Sequence, residues 1–156
     1  MSSRVASGAL WMVLFKLVDR SLGLVSTLAD YHRFCELLRR GGELDGVRLL
    51  GPRTLALMRA NHLRGDADLT QVALDGFSET AQQGVGFGLG FATTLGEGRA
   101  GVCGGGDFYW GGLASTVFWV DPVEDLLAIF MTQLVPSRSY NIRGLFKSIV
   151  YGAIVD

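Results

Sequence analysis

Cysteine and histidine are scarce in this sequence, and their scarcity excludes most metal sites. The 156 residues include two cysteines, Cys35 and Cys103, and two histidines. The cysteines lack the C-x-x-C spacing of metal-binding and redox motifs, and His32 and His62 do not complete a ligand set. The sequence therefore predicts no metal ion and no other cofactor. We expect both thiols to be buried, and a disulfide between them is the less favoured alternative.

The chain also lacks an excess of charge of either sign. Fourteen lysines and arginines face fifteen aspartates and glutamates, which leaves a formal net charge of −1. A nucleic-acid-binding domain needs a basic surface that neutralises phosphates, so this composition argues against nucleic acid as a partner.

No apolar run reaches the length of about 20 residues that a membrane-spanning helix needs. Residues 5–15 are largely apolar and follow Arg4, which faintly resembles a signal peptide, but Lys16 interrupts the pattern and no clean cleavage site follows. A signal or anchor, an element of the fold and a non-native start are three alternative interpretations of this stretch. We leave residues 1–21 unassigned, place one domain at residues 22–156 and leave the compartment open.

Glycine is abundant, and its placement predicts a sheet with tight turns. The chain has 22 glycines, about twice the usual share of roughly 7%. Within residues 104–133 an aromatic run ends at Trp110-Gly111-Gly112, and apolar runs follow at residues 116–120 and 126–133. The polar residues 121–125 between the last two runs are typical of an antiparallel hairpin. The bare backbone of the two glycines allows another chain or a ligand to approach that strand closely.

Capping signals predict two helices in the first half of the chain. Thr27 and Asp30 form a capping pattern, and Gly41-Gly42 stop the helix. Its apolar stripe consists of Leu28, Tyr31, Cys35 and Leu38. Gly51-Pro52 begins a second, shorter helix that extends to about residue 60.

The segment after Pro136 has the clearest helical spacing. We expect one apolar face, packed across the preceding sheet and formed by Ile142, Leu145, Phe146, Ile149, Val150 and Ala153. Helices, then consecutive antiparallel strands, then a closing helix indicate an α+β fold with an antiparallel β-sheet flanked by helices.

Glycine-rich residues 85–92 alternate large and small residues, which predicts a strand with a bare face on which something must pack. No helix pattern follows them, so they do not form a dinucleotide-binding fingerprint. Residues 61–84 are predicted to be a long polar connection without secondary structure. Shorter turns are expected within residues 44–50 and 96–99.

Several motifs together resemble the C-terminal part of β-lactamase-related serine hydrolases. They are F-x-W-G-G at residues 108–112, F-W-V-D-P at 118–122 and M-T-Q at 131–133. The W-G-G is similar to that of the esterase-like branch related to class C β-lactamases, where it replaces Lys-Thr-Gly or His-Thr-Gly. Residues 23–34 resemble the family's G-L-x-S-T-x-x-D-Y-x-R-F, and residues 49–58 resemble a further family segment. The resemblance covers residues 22–156 and implies a partial β-lactamase/transpeptidase-like fold.

The chemistry that the resemblance implies needs a nucleophilic serine, a base, a proton relay and oxyanion donors. Family members supply the first two from one helix as S-x-x-K and the relay from Y-x-N or S-x-N. This chain has two lysines, Lys16 and Lys147, preceded three residues earlier by Val13 and Gly144, so it contains no S-x-x-K. It contains no Y-x-N either. Its S-x-N at residues 139–141 follows the W-G-G strand instead of preceding it, and we interpret it as a helix cap.

The resemblance implies that Trp110, Gly111 and Gly112 line the edge of the substrate pocket and that the Leu113 N–H is an oxyanion donor. Without the resemblance, Trp110 is interpreted as a core aromatic residue. Because tryptophan replaces a cationic or imidazole residue there, an ester substrate is favoured over a β-lactam. Ser115 stands where the family commonly has glycine. Asp121 and Glu124 are interpreted as turn residues.

The leading interpretation is therefore the C-terminal portion of a β-lactamase-related serine hydrolase that lacks its nucleophile. Such a chain is expected to be inactive alone, and to act on a small-molecule ester or amide-like substrate only if another chain supplies the Ser–Lys helix. The alternative is a non-catalytic binding protein built on the same half-fold. A chain without its family's N-terminal half should expose a sheet edge or an apolar patch that favours self-association, so a cooperatively folding monomer without such a surface would weaken the truncated-enzyme interpretation.

Overall fold

The computed structural model describes residues 26–72, 83–112, 114–137 and 139–155. The N-terminal segment of residues 1–21 lies outside these ranges. No helix within the ranges combines the length and apolar character needed to span a bilayer. The helices and strands are, in chain order, α1 Leu28–Arg39, β1 Glu43–Leu44, β2 Val47–Arg48, α2 Pro52–Arg59, a 3-10 turn Arg64–Asp66, α3 Leu69–Val72, β3 Val85–Phe87, β4 Ala92–Thr94, α4 Glu97–Ala100, β5 Phe108–Gly111, β6 Val117–Asp121, β7 Leu126–Phe130 and α5 Ile142–Gly152.

Strands β3 to β7 form one antiparallel sheet in the order in which they occur in the chain. Val120 of β6 lies between Phe108 of β5 and Leu127 of β7. Between β6 and β7, Asp121 Oδ1 accepts the main-chain N–H groups of Val123 and Glu124 at 2.9 and 3.2 Å, which confirms the predicted hairpin turn. A separate two-stranded hairpin joins β1 to β2. The α+β prediction is therefore confirmed.

The two faces of the sheet carry different helices. Helix α1 packs on β6 and β7, and its Tyr31 ring meets Phe118 edge-on at 5.4 Å. Because side chains alternate across a strand, Trp119 points to the other face, where it meets Phe146 of α5 at 5.2 Å. The buried core lies on the α1 side of the sheet and consists of Cys35, Leu38, Leu55, Phe91, Phe108, Phe118 and Val120.

Helix α1 begins and ends as predicted. Thr27 Oγ1 accepts the Asp30 N–H at 3.1 Å and donates to the Asp30 carboxylate at 2.9 Å. Gly41 and Gly42 follow its end with left-handed φ values of 70° and 92°. The predicted stripe is wrong at Leu28, which is 56% exposed. Leu28 lies one turn before Tyr31, whose ring already meets the start of β6, so it lies beyond the sheet.

Helix α5 lies on the sheet but buries only part of its predicted apolar face. Phe146 packs on Trp119 and on Phe130 of β7. Leu145 and Ile149 are 62% and 70% exposed, contrary to prediction, and Ala153 is exposed as well. The helix is turned so that Arg143 and Lys147 also face the sheet, which moves part of the apolar stripe outward.

Residues 85–92 are not one continuous strand but a hairpin, in which a turn joins β3 to the start of β4. Gly88 N–H donates to Phe91 O at 2.7 Å, and Gly90 has a left-handed φ of 94°. The expected packing on the bare glycine face is present, since a Cβ on Gly86 would lie 2.5 Å from the Asn61 side chain. Alternation therefore predicted the close packing correctly and the strand length wrongly.

Residues 61–72 contain short elements where the sequence predicted none, namely the 3-10 turn and α3. Two side chains organise them. Asn61 Oδ1 accepts the Phe87 N–H at 3.1 Å, and the buried Asp68 accepts the N–H groups of Gly84 at 2.9 Å and Thr70 at 3.0 Å. The hydrogen bond from Gly84 lowers the pKa of Asp68 the most, and the other bonds lower it further. Residues 73–82 lie outside the described ranges. The predicted turn at residues 96–99 is the short helix α4.

The two cysteines have different surroundings. Both are free thiols, and Cys35 is buried in the core. Burial raises the pKa of Cys35 to about 12. Cys103 is exposed, contrary to prediction, and lies in the glycine-rich turn before β5, outside the core cluster.

Candidate functional site

Trp110 lies in β5 on the face of the sheet that carries α1. It is half-buried, packs against the core cluster and meets the Phe87 ring edge-on at 4.9 Å. Its side chain therefore has a packing role on one side and a solvent-facing part on the other. That combination is compatible with both interpretations of Trp110, core aromatic and pocket wall.

The bare backbone at Gly111 is approached by Arg143 of α5. A Cβ on Gly111 would lie 2.5 Å from the Arg143 guanidinium carbon. Arg143 Nη2 donates to the carbonyls of Gly112 at 2.7 Å and Thr116 at 3.3 Å. Gly112 N–H also donates to Thr116 O at 2.9 Å. The end of β5 is thus held to both β6 and α5.

Leu113, the proposed oxyanion donor, lies outside the described residues. Two residues later, Ser115 has a left-handed φ of 66° and is buried. Its Oγ donates to Leu134 O at 2.7 Å. A left-handed φ suits glycine, which gives a physical reason for glycine at this position in the resembling family.

The opposite face of the sheet contains a cavity of about 250 Å³ beneath α5. Residues of β3, β4, β5, β6 and α5 line it together with Asp107 of the loop before β5, and Tyr109 and Lys147 are among them, whereas Trp110 is not. Lys147 Nζ donates to Asp107 Oδ2 at 2.8 Å, and Asp107 is fully buried. Burial raises the pKa of Asp107, and the Lys147 ammonium opposes that rise.

Aromatic rings complete the surroundings of this ion pair. Lys147 Nζ lies 5.5 Å from the Tyr109 ring centroid and 5.7 Å from that of Tyr151. Tyr151 donates its hydroxyl to Asp121 Oδ2 at 2.7 Å. Burial raises the pKa of both tyrosines. This cluster was not predicted from the sequence, although a lysine in a largely apolar helix is a signal that could have indicated it.

Ser115, Ser139 and Ser148 do not pair with Lys147 as nucleophile and base. The hydroxyls of Ser115, Ser139 and Ser148 donate to main-chain carbonyls, and Lys147 pairs with Asp107. Asn141 Oδ1 accepts the Gly144 N–H at 3.3 Å, which confirms the interpretation of residues 139–141 as a helix cap. Within the described ranges, no three His, Cys, Asp or Glu residues are grouped to hold a metal ion.

Comparison with known proteins identifies similar sequences. The Beta-lactamase family model matches residues 4–147, and so begins inside the segment left unassigned above. Protein Rv1367c of Mycobacterium tuberculosis is 34% identical over 121 residues, which make up 76% of this chain and 30% of the relative. The chain thus spans about 30% of the length of the curated relatives it matches.

Solved structures show the same similarity. EstCE1, a hydrolase with promiscuous acyltransferase activity, is 27% identical with a TM-score of 0.58, covering 76% of this chain and 28% of that chain. The LovD9 mutant of simvastatin synthase from Aspergillus terreus is 23% identical with a TM-score of 0.61, covering 81% of this chain and 34% of that chain. The second similarity concerns the fold alone.

Proposed function

The chain belongs to the Beta-lactamase family, and from this premise we propose that residues 22–156 supply the strand side of an acyl-transfer pocket without its nucleophile. The chain has a β-lactamase-family hydrolase/acyltransferase-like fold over part of the length of its relatives. In this proposal Trp110, Gly111 and Gly112 line the substrate, and the Leu113 N–H stabilises the oxyanion. The substrate is a small-molecule ester.

The observation that carries the proposal is the clamp at the end of β5. Arg143 holds the carbonyls of Gly112 and Thr116, so the strand end is fixed before any substrate arrives. An oxyanion donor is effective when its position is set in advance, because no reorganisation is then needed as charge develops. Arg143 is accordingly a positioning residue for the strand and not a group that touches the substrate.

We expect the purified chain to be inactive toward esters. No S-x-x-K occurs in the sequence, so incubation with p-nitrophenyl acetate should give the background rate, and a serine-reactive fluorophosphonate should label no residue. Hydrolysis abolished by the fluorophosphonate would show a nucleophile in this chain and overturn the proposal. The rival, a non-catalytic binding protein, predicts the same inactivity, so a second experiment is required.

Complementation separates the two functions. The chain is mixed with the S-x-x-K-bearing segment of a family esterase, and ester hydrolysis sensitive to the fluorophosphonate is expected to appear. Leu113→Pro removes the proposed donor N–H, and a rate loss of about 10²–10³ is expected, as for other oxyanion donors. Leu113→Ala keeps the N–H and is the matched control. Equal rates for both variants would remove Leu113 from the proposal, and failure of every pairing would favour the binding protein.

The preference for esters follows from Trp110. A tryptophan offers no positive charge to a β-lactam carboxylate, so the complemented pocket should hydrolyse p-nitrophenyl acetate and leave nitrocefin nearly untouched. The reverse preference would contradict this part of the proposal. Self-association is also part of the proposed behaviour of the chain.

A further inference from the structure

Strand β7 is the last strand of the sheet. It pairs with β6 on one side, and no strand within the described ranges pairs with its other side. Edge strands present unpaired N–H and C=O groups, and proteins usually protect them with lysine, proline or a bulge. Leu126–Phe130 has the sequence LLAIF and contains none of these.

The hydrogen-bond alternation shows which groups of β7 point outward. Gly112 N–H donates to the carbonyl of Thr116, the residue opposite it in the β5–β6 pairing. Hydrogen-bonded and non-hydrogen-bonded pairs alternate along antiparallel strands, so every second residue of β6 from Thr116 onward bonds β5. The residues between them, Val117, Trp119 and Asp121, bond β7. Their partners in β7 are Phe130, Ala128 and Leu126. The main-chain N–H and C=O groups of Leu127 and Ile129 therefore point away from the sheet.

Apolar side chains flank this edge on both faces of the sheet. On the α1 face, Phe34 is 41% exposed and contacts Phe118, the cross-strand neighbour of Ile129. On the α5 face, Phe146 contacts Phe130.

The helical spacing of α5 extends the second flank. Leu145 and Ile149 lie on the side of Phe146 away from Arg143 and Lys147, which face β5. This spacing turns the two exposed side chains toward β7. Apolar side chains therefore lie beside the open edge on both faces of the sheet.

We propose that β7 pairs antiparallel with β7 of a second copy of this chain, with the two-fold axis at Ala128, to form a ten-stranded sheet. In this register Leu127 lies opposite the partner's Ile129, and Ile129 lies opposite the partner's Leu127. Each pair exchanges two main-chain hydrogen bonds, so all four outward groups of each strand are satisfied. A two-fold axis at Leu127 or at Ile129 would place the other of these two residues opposite a partner residue that lies outside β7.

Charge and size favour the same arrangement. The antiparallel register sets Asp125 opposite the partner's Met131 and Glu124 opposite the partner's Thr132, so no like charges meet. A parallel pairing would set Asp125 against the partner's Asp125. Residues at the axis form a non-hydrogen-bonded pair, in which Cα atoms approach to about 4.5 Å, and the small side chain of Ala128 suits that distance.

The first test measures association by sedimentation equilibrium of the full chain. A dimer is expected, and L145K/I149K should raise its dissociation constant at least about tenfold, because four ammonium groups would lie beside the joined edges. Leu57→Lys is the matched control, since Leu57 is also an exposed helical leucine, at 55%, and lies on α2 away from β7. A monomer at about 100 μM, a larger assembly or an equal effect of the control would overturn the proposal.

The second test identifies the strand that pairs, by amide hydrogen exchange at two protein concentrations. The N–H groups of Leu127 and Ile129 should be protected only at the concentration where the dimer forms, while those of Leu126, Ala128 and Phe130 should be protected at both. Fast exchange of Leu127 and Ile129 in a dimer would place the interface elsewhere. Their protection in the dilute monomer would show that the chain covers its own edge. Neither readout involves ester hydrolysis, so failure here is distinguishable from failure of the proposed function.

Discussion

At the scale of single residues, the most constrained group is the Asp107–Lys147 pair beneath α5. A buried charge is tolerated only with a partner, because removal from water costs several kcal/mol per ion. Asp107 is fully buried and its Oδ2 takes the Lys147 ammonium at 2.8 Å. The pair therefore joins α5 to the loop before β5, and its loss should be visible as a loss of stability.

We expect Lys147→Met to destabilise the chain by about 3–5 kcal/mol at neutral pH, the usual cost of leaving a buried charge unpaired. Burial already raises the pKa of Asp107, and loss of the ammonium raises it further. Because protonation removes the unpaired charge, the destabilisation should shrink as the pH is lowered. Urea unfolding at pH 8 and pH 5 measures both quantities, and Ser148→Ala on the exposed side of the same helix is the control. A penalty independent of pH would show that packing, not charge, is the cause.

At the scale of secondary-structure elements, α1 depends on ion pairs around its last turn. Glu36 bonds Arg39 at 2.8 Å and also pairs with Arg40 at 2.5 Å. Arg39 pairs with Asp125 in the β6–β7 turn as well. The helix end is thus tied to the sheet through one arginine.

The contribution of Glu36 to the stability of the chain should depend on pH. The hydrogen bond from Arg39 lowers the pKa of Glu36 to about 2 from its ordinary value near 4.5. A carboxyl with a lowered folded-state pKa stabilises the fold above its unfolded-state pKa, and that contribution is lost as the pH falls toward the folded-state value. Glu36→Gln should therefore be less stable at pH 6 and nearly equal to the parent at pH 2. Thermal unfolding across this range tests it, and a constant difference would contradict the linkage.

Elements set by local signals could be predicted from the sequence. The caps at Thr27 and Asn141 and the turn at Asp121 depend on side chains within three residues of the groups they bond. Residues 85–92 could not be assigned, because a strand with one bare face and a glycine hairpin give the same alternation. The hairpin that forms is bonded to residues distant in sequence, among them Asn61, which accepts the Phe87 N–H.

The candidate site, too, could be predicted from the sequence only in part. The W-G-G motif could be found in the sequence, whereas its clamp depends on Arg143, 31 residues from Gly112. The outward turn of Leu145 and Ile149 likewise follows from what Arg143 and Lys147 meet on the sheet. The helical spacing alone does not show whether the apolar face or the overlapping face that carries Arg143 and Lys147 packs on the sheet.

At the scale of the whole molecule, the exposed side chains of Phe34, Leu145 and Ile149 flank the open edge of β7. Single exposed leucines are ordinary, but a contiguous patch marks a surface that another molecule covers. We infer that the apolar side chains beside this strand edge are covered in the same way.

This surface should be measurable with the dye 8-anilinonaphthalene-1-sulfonate. Fluorescence per chain is expected to fall as protein concentration rises, because association covers the patch. The L145K/I149K variant should bind less dye at low concentration and lose the concentration dependence. Fluorescence that rises with concentration would indicate disordered aggregation instead of a defined pairing.

The contrast between the two cysteines gives this chain a practical property. Cys103 is exposed, while Cys35 is buried in the core with a thiol pKa raised to about 12, so very little of it is thiolate at neutral pH. A maleimide should therefore attach at one defined position of the folded chain without any engineered substitution. A spin label or fluorophore placed there would turn every folded copy into a singly marked reporter for distance measurements.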